Sequence, residues 1–394
     1  MDKIDDVLTR GVEKIYPSKQ ALAAKLRSGK KLKLYQGFDP TGPKLHIGHL
    51  VGLMKLKQFQ ELGHKVIFLI GDVTATIGDP SGKTTVRKVL TRKEVEINAK
   101  SYKEQASRIL DFEGENPVEI QYNSRWYDEM NALEFAKITH YLTFAQISER
   151  DLFRERQKAG QDIYMNEFVY PVLQAYDSVA MDVDLEVGGS DQMFNMMMGR
   201  KLMRNILNKE KFVITTSLLA DSQGRKIGKT EGNVIALDSE PDDFYGMIMS
   251  LPDDAIIKCF ELITDMPMKE VEEIRVKISR GENPMTFKKR LAYELTKILN
   301  NVDEAQKAAK NFDRVFRDKK VPDKLKEVTV LASNIVGVLV SAGLATSKSD
   351  ARRLVEQNGV RVDGKVVDLK KEFEVGKEYI VQVGRLKFAK VKIN

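Results

Sequence analysis

Cysteine is almost absent, with one residue in 394. That excludes a disulfide framework, and with only four histidines it argues against a structural zinc site, so no protein-held metal is expected. No run of about 18 apolar residues occurs, the length that a membrane-crossing helix needs, so no membrane partner is expected. The opening MDKIDDVLTRGVEKIY is charged and carries no apolar signal core. The protein is therefore expected to stay in the reducing cytoplasm where it is made. Internal repeats and low-complexity tracts are missing as well. Whole-chain disorder is excluded, because aromatics and branched aliphatics recur throughout.

What is present suffices for two or three domains at about 150 residues each. Basic side chains number 64 against 57 acidic ones, but the surplus is uneven. Residues 331–394 hold 12 basic and 7 acidic side chains, five of the seven net positive charges. A small basic module on a nearly neutral body fits a polyanionic partner, nucleic acid before membrane. A lysine-rich solvated surface would look the same on charge alone.

Residues 1–240 alternate strands and helices. LKLYQGF (32–38) reads as a strand, DPTGPKLHIG as a loop, and a helix follows from about Gly48 with Leu50, Leu53, Leu56, Phe59 and Leu62 as its apolar stripe. Gly63 is placed to end that helix, and KVIFLIGD (65–72) reads as a strand buried on both faces. VDLEVGGSDQ leading into MFNMMMGRKLMRNIL repeats the strand–turn–helix logic, which predicts a doubly wound α/β domain with a parallel sheet. From 241 to 325 the pattern turns helical and charged, with Pro284 where a helix would begin. FRDKKVPDKLKEV (316–328) reads as a polar linker. Residues 331–394 predict a short helix stopped by Gly343, a second capped by Ser347, an Asp-Gly hairpin and terminal strands.

Chemistry concentrates in a few segments. In YQGFDPTGPKLHIGH (35–49) a strand passes to a helix whose free N–H groups can hold an anion, with His46 and His49 able to face it. IGDPSGKTTVRK (77–88) has one residue too few between its glycines for a phosphate-binding P-loop, leaving Asp79 beside Lys83 and Arg87. YPVLQAYDS sets Tyr170, Gln174 and Asp177 on one helix face, lining either solvent or a small-molecule pocket. GGSDQ puts Asp191 and Gln192 at the C-terminal edge of the sheet, where open α/β folds bind ligands. LLADSQGRKIGKTEGN gathers Arg225, Lys226 and Lys229 on a glycine-punctuated loop. Each segment alone also admits a plainer reading: surface histidines, an N-capping aspartate, a tight turn, a solvated basic loop.

In order, HIGH (46–49), GGSDQ (188–192) and KIGKT (226–230) resemble the signatures of class I aminoacyl-tRNA synthetases. With YQGFDPT, IGDPSGK and YPVLQAYD the chain resembles the bacterial-type tyrosyl-tRNA synthetases over essentially its whole length. Many class I enzymes read KMSKS where this chain reads KIGKT, which keeps both lysines and a terminal hydroxyl, Thr230. Met193 stands where many relatives carry Trp, and Gln36 is given no role.

The resemblance implies a Rossmann-type catalytic domain (1–240), a helical domain (241–325) and a small RNA-binding domain (331–394) like that of a ribosomal small-subunit protein. It implies tyrosine activation by ATP, with magnesium carried by the phosphates, and transfer to tyrosine tRNA by a homodimer. It implies that Thr41, His46, His49, Lys83, Arg87, Lys226, Lys229 and Thr230 serve catalysis. Gly37, Asp39, Gly48, Gly188 and Asp191, with His46, His49 and Lys229, would line the ATP site. Tyr35 and Asp177 would bond the phenolic hydroxyl of L-tyrosine, and Asp79, Tyr170 and Gln174 its ammonium, with Gln192 alongside. A tryptophan-specific relative would have no use for Asp177. Arg352, Arg353, Arg361 and Lys365 would contact RNA. An RNA-binding protein on a decayed nucleotide-binding fold is the alternative, but it would be expected to have lost the histidine pair or the second lysine.

Overall fold

The computed structural model describes residues 2–80, 90–148, 151–230, 233–316, 325–384 and 387–394. By internal contacts the chain forms two compact units. The first comprises Met1–Glu240 with Ser250–Asn300, the second Pro241–Met249 with Asn301–Asn394.

The first unit is built on a sheet of six strands: β1 (Val12–Tyr16), β2 (Lys33–Phe38), β3 (Lys65–Ile70), β4 (Glu119–Tyr122), β5 (Leu185–Gly189) and β6 (Phe212–Thr216). Their order is β1-β6-β5-β2-β3-β4. All neighbours are parallel except β1, which closes the β6 edge antiparallel. The chain winds from β2 out to β4 and then returns to the other side of β2, so the order reverses between β2 and β5. That reversal is where a doubly wound sheet opens a crevice at its carboxyl ends. The register shows the opening directly. β2 and β5 pair only at Leu34–Leu185 and Tyr35–Glu186, whereas β2 and β3 stay paired as far as Phe38–Ile70. Residues 36–38 and 187–189 therefore part from each other.

The predicted βαβ unit is present. β3 buries five consecutive residues, Val66 to Ile70, as an inner parallel strand should. The Ile47–Glu61 helix buries Ile47, Leu50, Val51, Leu53, Met54, Leu56 and Phe59, and ends at Gly63, which takes φ +76°. Helices Ile256–Ile263, Met268–Ser279 and Pro284–Leu299 complete this unit, Pro284 opening its helix as expected. The single cysteine, Cys259, lies buried among them.

In the second unit the Pro241–Met249 helix packs on Val302–Phe316, joined by the Tyr245 and Phe312 rings at 5.4 Å. After a two-strand pair in the first unit, β7 (Lys229–Thr230) with β8 (Asn233–Val234), the remaining strands form a separate sheet. They are β9 (Lys326–Val330), β10 (Val360–Val362), β11 (Lys365–Val366), β12 (Glu378–Val383) and β13 (Lys387–Ile393). The order is β11-β10-β12-β13-β9, with β9 parallel to β13. This corrects the expected linker 316–328. Residues 317–324 lie outside the described ones, but Lys326 onward is a strand whose pairing with β13 outweighs the polar local composition. Ser347 caps its helix, and Asp363 and Gly364, both at positive φ, turn the β10–β11 hairpin.

Candidate active site

The crevice between β2 and β5 collects most of the singled-out residues. At its helical wall His46 is the N-cap of the Ile47–Glu61 helix and accepts from the Gly48 N–H through Nδ1 at 3.1 Å. His49 Nδ1 accepts from the His46 N–H at 3.0 Å, and the two rings pack at a tilt of 31° with centroids 3.9 Å apart. The pair is a capping box made from histidines, which holds both imidazoles at the end of a helix whose dipole favours anions.

The lysine loop arrives at the same place. Just beyond the loop, the Ile47 N–H bonds the Ile235 carbonyl at 3.0 Å, and the Leu237 N–H bonds the Leu45 carbonyl at 2.9 Å. Gly228 has φ +86°, and a Cβ there would run into Ile47. Lys226 pairs with Asp191 at 2.8 Å. Arg225 turns away to Asp221 at 2.7 Å and stays exposed. Lys83 and Arg87 lie outside the described residues, and Lys229 and Thr230 are described only as strand backbone in β7. Thr41 is exposed in the loop after β2, its N–H bonded to the Asp39 carbonyl. Gly37 is exposed at the parting of the strands. Gly188 lies against Met196, whose Sδ a Cβ there would press upon.

The opposite wall is the Met165–Ala180 helix, with Tyr170, Gln174 and Asp177 on its inward face and Val172 and Val179 in an apolar cluster behind. Tyr170 donates to Asp39 at 2.8 Å, and Thr74 donates to the other Asp39 oxygen at 2.7 Å. Asp79 accepts from Gln192 at 2.7 Å. Gln174 and Gln192 are bridged by Asn195, whose amide donates to both at 2.8 and 3.1 Å.

Deepest are Tyr35 and Asp177, 1% and 3% exposed. They share the floor without bonding the same groups. The Tyr35 hydroxyl shares a hydrogen bond with Ser178 at 2.9 Å, while Asp177 accepts from Trp126 Nε1 at 3.0 Å and Asn123 Nδ2 at 3.4 Å. Burial pushes the Asp177 carboxyl well above the usual range, against the pull of donors from Tyr127, Trp126 and Asn123. Burial likewise raises the Tyr35 phenol, helped by the charges of Glu186 and Asp177.

Asn123, Trp126, Ser178, Asn195 and Thr74 escaped the motif reading. Trp126 is the chain's one tryptophan and Ser178 directly follows Asp177, so both carried a signal. The others did not. Gln36 turns onto the Ile47–Glu61 helix, where a side chain on Gly52 would collide with it. Met193 meets the Tyr16 hydroxyl at 3.4 Å.

A family model for the class I tRNA synthetases (W and Y) matches residues 27–317, and an S4-domain model matches residues 335–378. A tyrosine–tRNA ligase of Thermotoga maritima is 41% identical over 389 residues, covering 98% of this chain and 96% of its own. The chain belongs to the class I tyrosyl-tRNA synthetases. A second relative in this family, tyrosine–tRNA ligase 2 of Vibrio parahaemolyticus, is also 41% identical, over 98% of this chain and 97% of its own. The fold agrees. A C-terminally truncated mitochondrial tyrosyl-tRNA synthetase of Aspergillus nidulans superposes with a TM-score of 0.68 at 22% identity, covering 80% of this chain and 94% of that one. An Archaeoglobus fulgidus tyrosyl-tRNA synthetase crystallised with L-tyrosine gives 0.61 at 21% identity, over 78% and 99% of the two chains.

Arg352, Arg353, Arg361 and Lys365 all fall within the span that the S4-domain model matches and are exposed. Arg353 pairs with Asp350 at 2.7 Å, and Arg361 donates to the Gly364 carbonyl at 3.2 Å.

Proposed function

We propose that this synthetase uses the β2–β5 crevice to join tyrosine to ATP and then to tRNA. One oxygen of the tyrosine carboxylate attacks the α-phosphorus. The bond to the bridging oxygen breaks, and its electrons leave with pyrophosphate, giving tyrosyl-adenylate. The nucleophile is ionised at neutral pH, so no general base is needed. The catalytic work is positioning and neutralising the charge that grows on pyrophosphate. A hydroxyl of the terminal tRNA adenosine then attacks the adenylate carbonyl and displaces AMP.

The supporting observation is the meeting of three elements at one opening: the histidine-capped helix, the lysine loop whose Gly228 abuts Ile47 of that helix, and the polar face of the Met165–Ala180 helix. In this reading Thr41 and His46 donate to the phosphates. His49 packs toward the ribose, and Gly37, Asp39, Gly48, Gly188 and Asp191 line the nucleotide. Lys226, Lys229 and Thr230 meet the phosphates from their loop, and Lys83 and Arg87 from the other side. Tyr170, Gln174 and Asp79 take the ammonium with Gln192 beside them, and Tyr35 and Asp177 take the phenol. Magnesium would come with the ATP phosphates and offset their charge. Among the described residues no group of three His, Cys, Asp or Glu side chains could hold a metal.

We place the working form in the cytoplasm as a homodimer, with 1–240 as the catalytic part, 241–325 as the helical part and 331–394 as the RNA-binding part. Exposure of the large apolar side chains Leu133, Phe144, Tyr164 and Met165 supports a dimer face that includes them.

Single-turnover kinetics test the site. His46→Ala and Lys229→Ala are expected to slow adenylate formation while tyrosine affinity holds nearly constant, because these groups act on charge that grows on the departing pyrophosphate and do not touch tyrosine. Weakened tyrosine binding with an intact chemical step would show the roles to be misassigned.

A further inference from the structure

A buried ion pair lies under the pocket floor, outside every motif. Glu186 of β5 and Lys211, just before β6, are 2% and 0% exposed. The Lys211 ammonium donates to one Glu186 oxygen and, at 2.8 Å, to Ser178, the partner of Tyr35. Gly199 makes room for it, since a Cβ there would press on both Lys211 and Ser178. Burial lowers the Lys211 pKa, and the Glu186 charge opposes that shift. Such pairs add little net stability, because desolvation consumes most of the Coulombic gain.

The other Glu186 oxygen accepts from Gln174 Nε2 at 3.2 Å. An ionised carboxylate can only accept, so the Gln174 NH2 must face Glu186 and its carbonyl must face the other way. There Gln174 Oε1 accepts from Asn195 at 2.8 Å, one lone pair remaining. The same constraint holds at the far end, where the Gln192 NH2 faces Asp79 and the Gln192 carbonyl faces Asn195. Two carboxylates thus fix the direction of a three-amide chain.

We propose that Glu186, held in place by Lys211, is a positioning residue that turns the Gln174 carbonyl, rather than its NH2, toward the α-ammonium of tyrosine. This rests on the reading that Gln174 meets the ammonium. The Glu186→Gln variant makes the proposal specific. Lys211 demands an acceptor, so the new amide oxygen turns to it and the new NH2 turns to Gln174. Gln174 must then flip, presenting NH2 to the ammonium. Removing the demand in Glu186→Gln/Lys211→Met frees the amide to turn back.

The experiment measures binding of L-tyrosine and of 3-(4-hydroxyphenyl)propanoate, which lacks the ammonium, to full-length wild type, Glu186→Gln, Glu186→Gln/Lys211→Met and Gln174→Ala. Glu186→Gln is expected to weaken tyrosine about tenfold or more, with the propanoate changed less than about twofold and the ATP KM unchanged. The double variant, which leaves no buried cation unpaired, is expected to recover part of the tyrosine loss, and it carries the test if the single variant does not fold. In that case the double variant must still lose tyrosine affinity relative to the propanoate. Equal weakening of both ligands, or no change in either, would overturn the proposal. Loss of ammonium discrimination in Gln174→Ala but not in the Glu186 variants would sink the positioning role alone. Discrimination intact in Gln174→Ala would refute the underlying reading of Gln174.

Discussion

At the scale of single residues the floor of the pocket sets a conflict between stability and recognition. The Asp177 carboxyl is raised well above its ordinary range, chiefly by burial. A raised carboxyl pKa contributes stability that is complete below the unfolded value of about 4 and is lost as pH climbs toward the folded value. Asp177→Asn removes that loss. Its melting temperature, measured without tyrosine, is expected to match wild type near pH 4 and to exceed it increasingly toward neutral pH. A difference that shrinks as pH rises would contradict the assignment. The same variant is expected to lose about 2 kcal/mol or more in tyrosine adenylation, as for a hydrogen bond to a charged group. Unchanged selectivity against phenylalanine in both Asp177→Asn and Tyr35→Phe would remove these residues from specificity. The motif residues were legible because their spacing shows which helix face or strand end they occupy. Their partners were not. Glu186 and Lys211 lie 25 positions apart and meet only because β5 and β6 are adjacent, which no local pattern records. An acid inside the otherwise apolar strand LEVGG was the one hint, since a buried carboxylate needs a partner.

At the scale of elements, strands and helices with a strong period were readable: the helix after HIGH, the inner strand β3 and the polar face of the Met165–Ala180 helix. The segment before residue 331 was not, because a strand that pairs at its sheet's edge keeps a polar, lysine-rich composition while its register with β13 supplies the order. The junction of the lysine loop with the Ile47–Glu61 helix was legible only as two separate glycine-marked loops. Its close packing makes a prediction. Gly228→Ala forces a side chain into Ile47 at φ +86°, a conformation that costs a non-glycine residue about 1 kcal/mol or more. Stopped-flow measurement is expected to show adenylate formation slowed about tenfold or more with the tyrosine Kd unchanged. Normal rates would mean that the loop does not need this seat.

At the scale of the whole molecule, sequence boundaries and contact groups divide the chain differently. Sequence style put 241–325 together, whereas contacts group 250–300 with the sheet unit and 241–249 with the tail. Composition is a local property of the chain, whereas contacts join segments that are distant in sequence. Since β9 belongs to the tail's sheet, a truncation should end at residue 324 so that β9 to β13 leave together. That protein is expected to retain pyrophosphate exchange and to lose most tRNA charging, because Arg352, Arg353, Arg361 and Lys365 are gone. Affinity for tRNA should fall more steeply with salt in the full chain than in the truncated one. Equal charging by the two proteins would exclude the tail as the RNA-binding part.

The β2–β5 crevice is expected to activate tyrosine and no other amino acid. ATP–pyrophosphate exchange, run on the full-length protein with each amino acid in turn, tests it most directly. Exchange is expected with tyrosine, with negligible exchange for phenylalanine and tryptophan and a large loss of the tyrosine signal in Asp177→Asn. Exchange driven by tryptophan, or none with tyrosine, would contradict it.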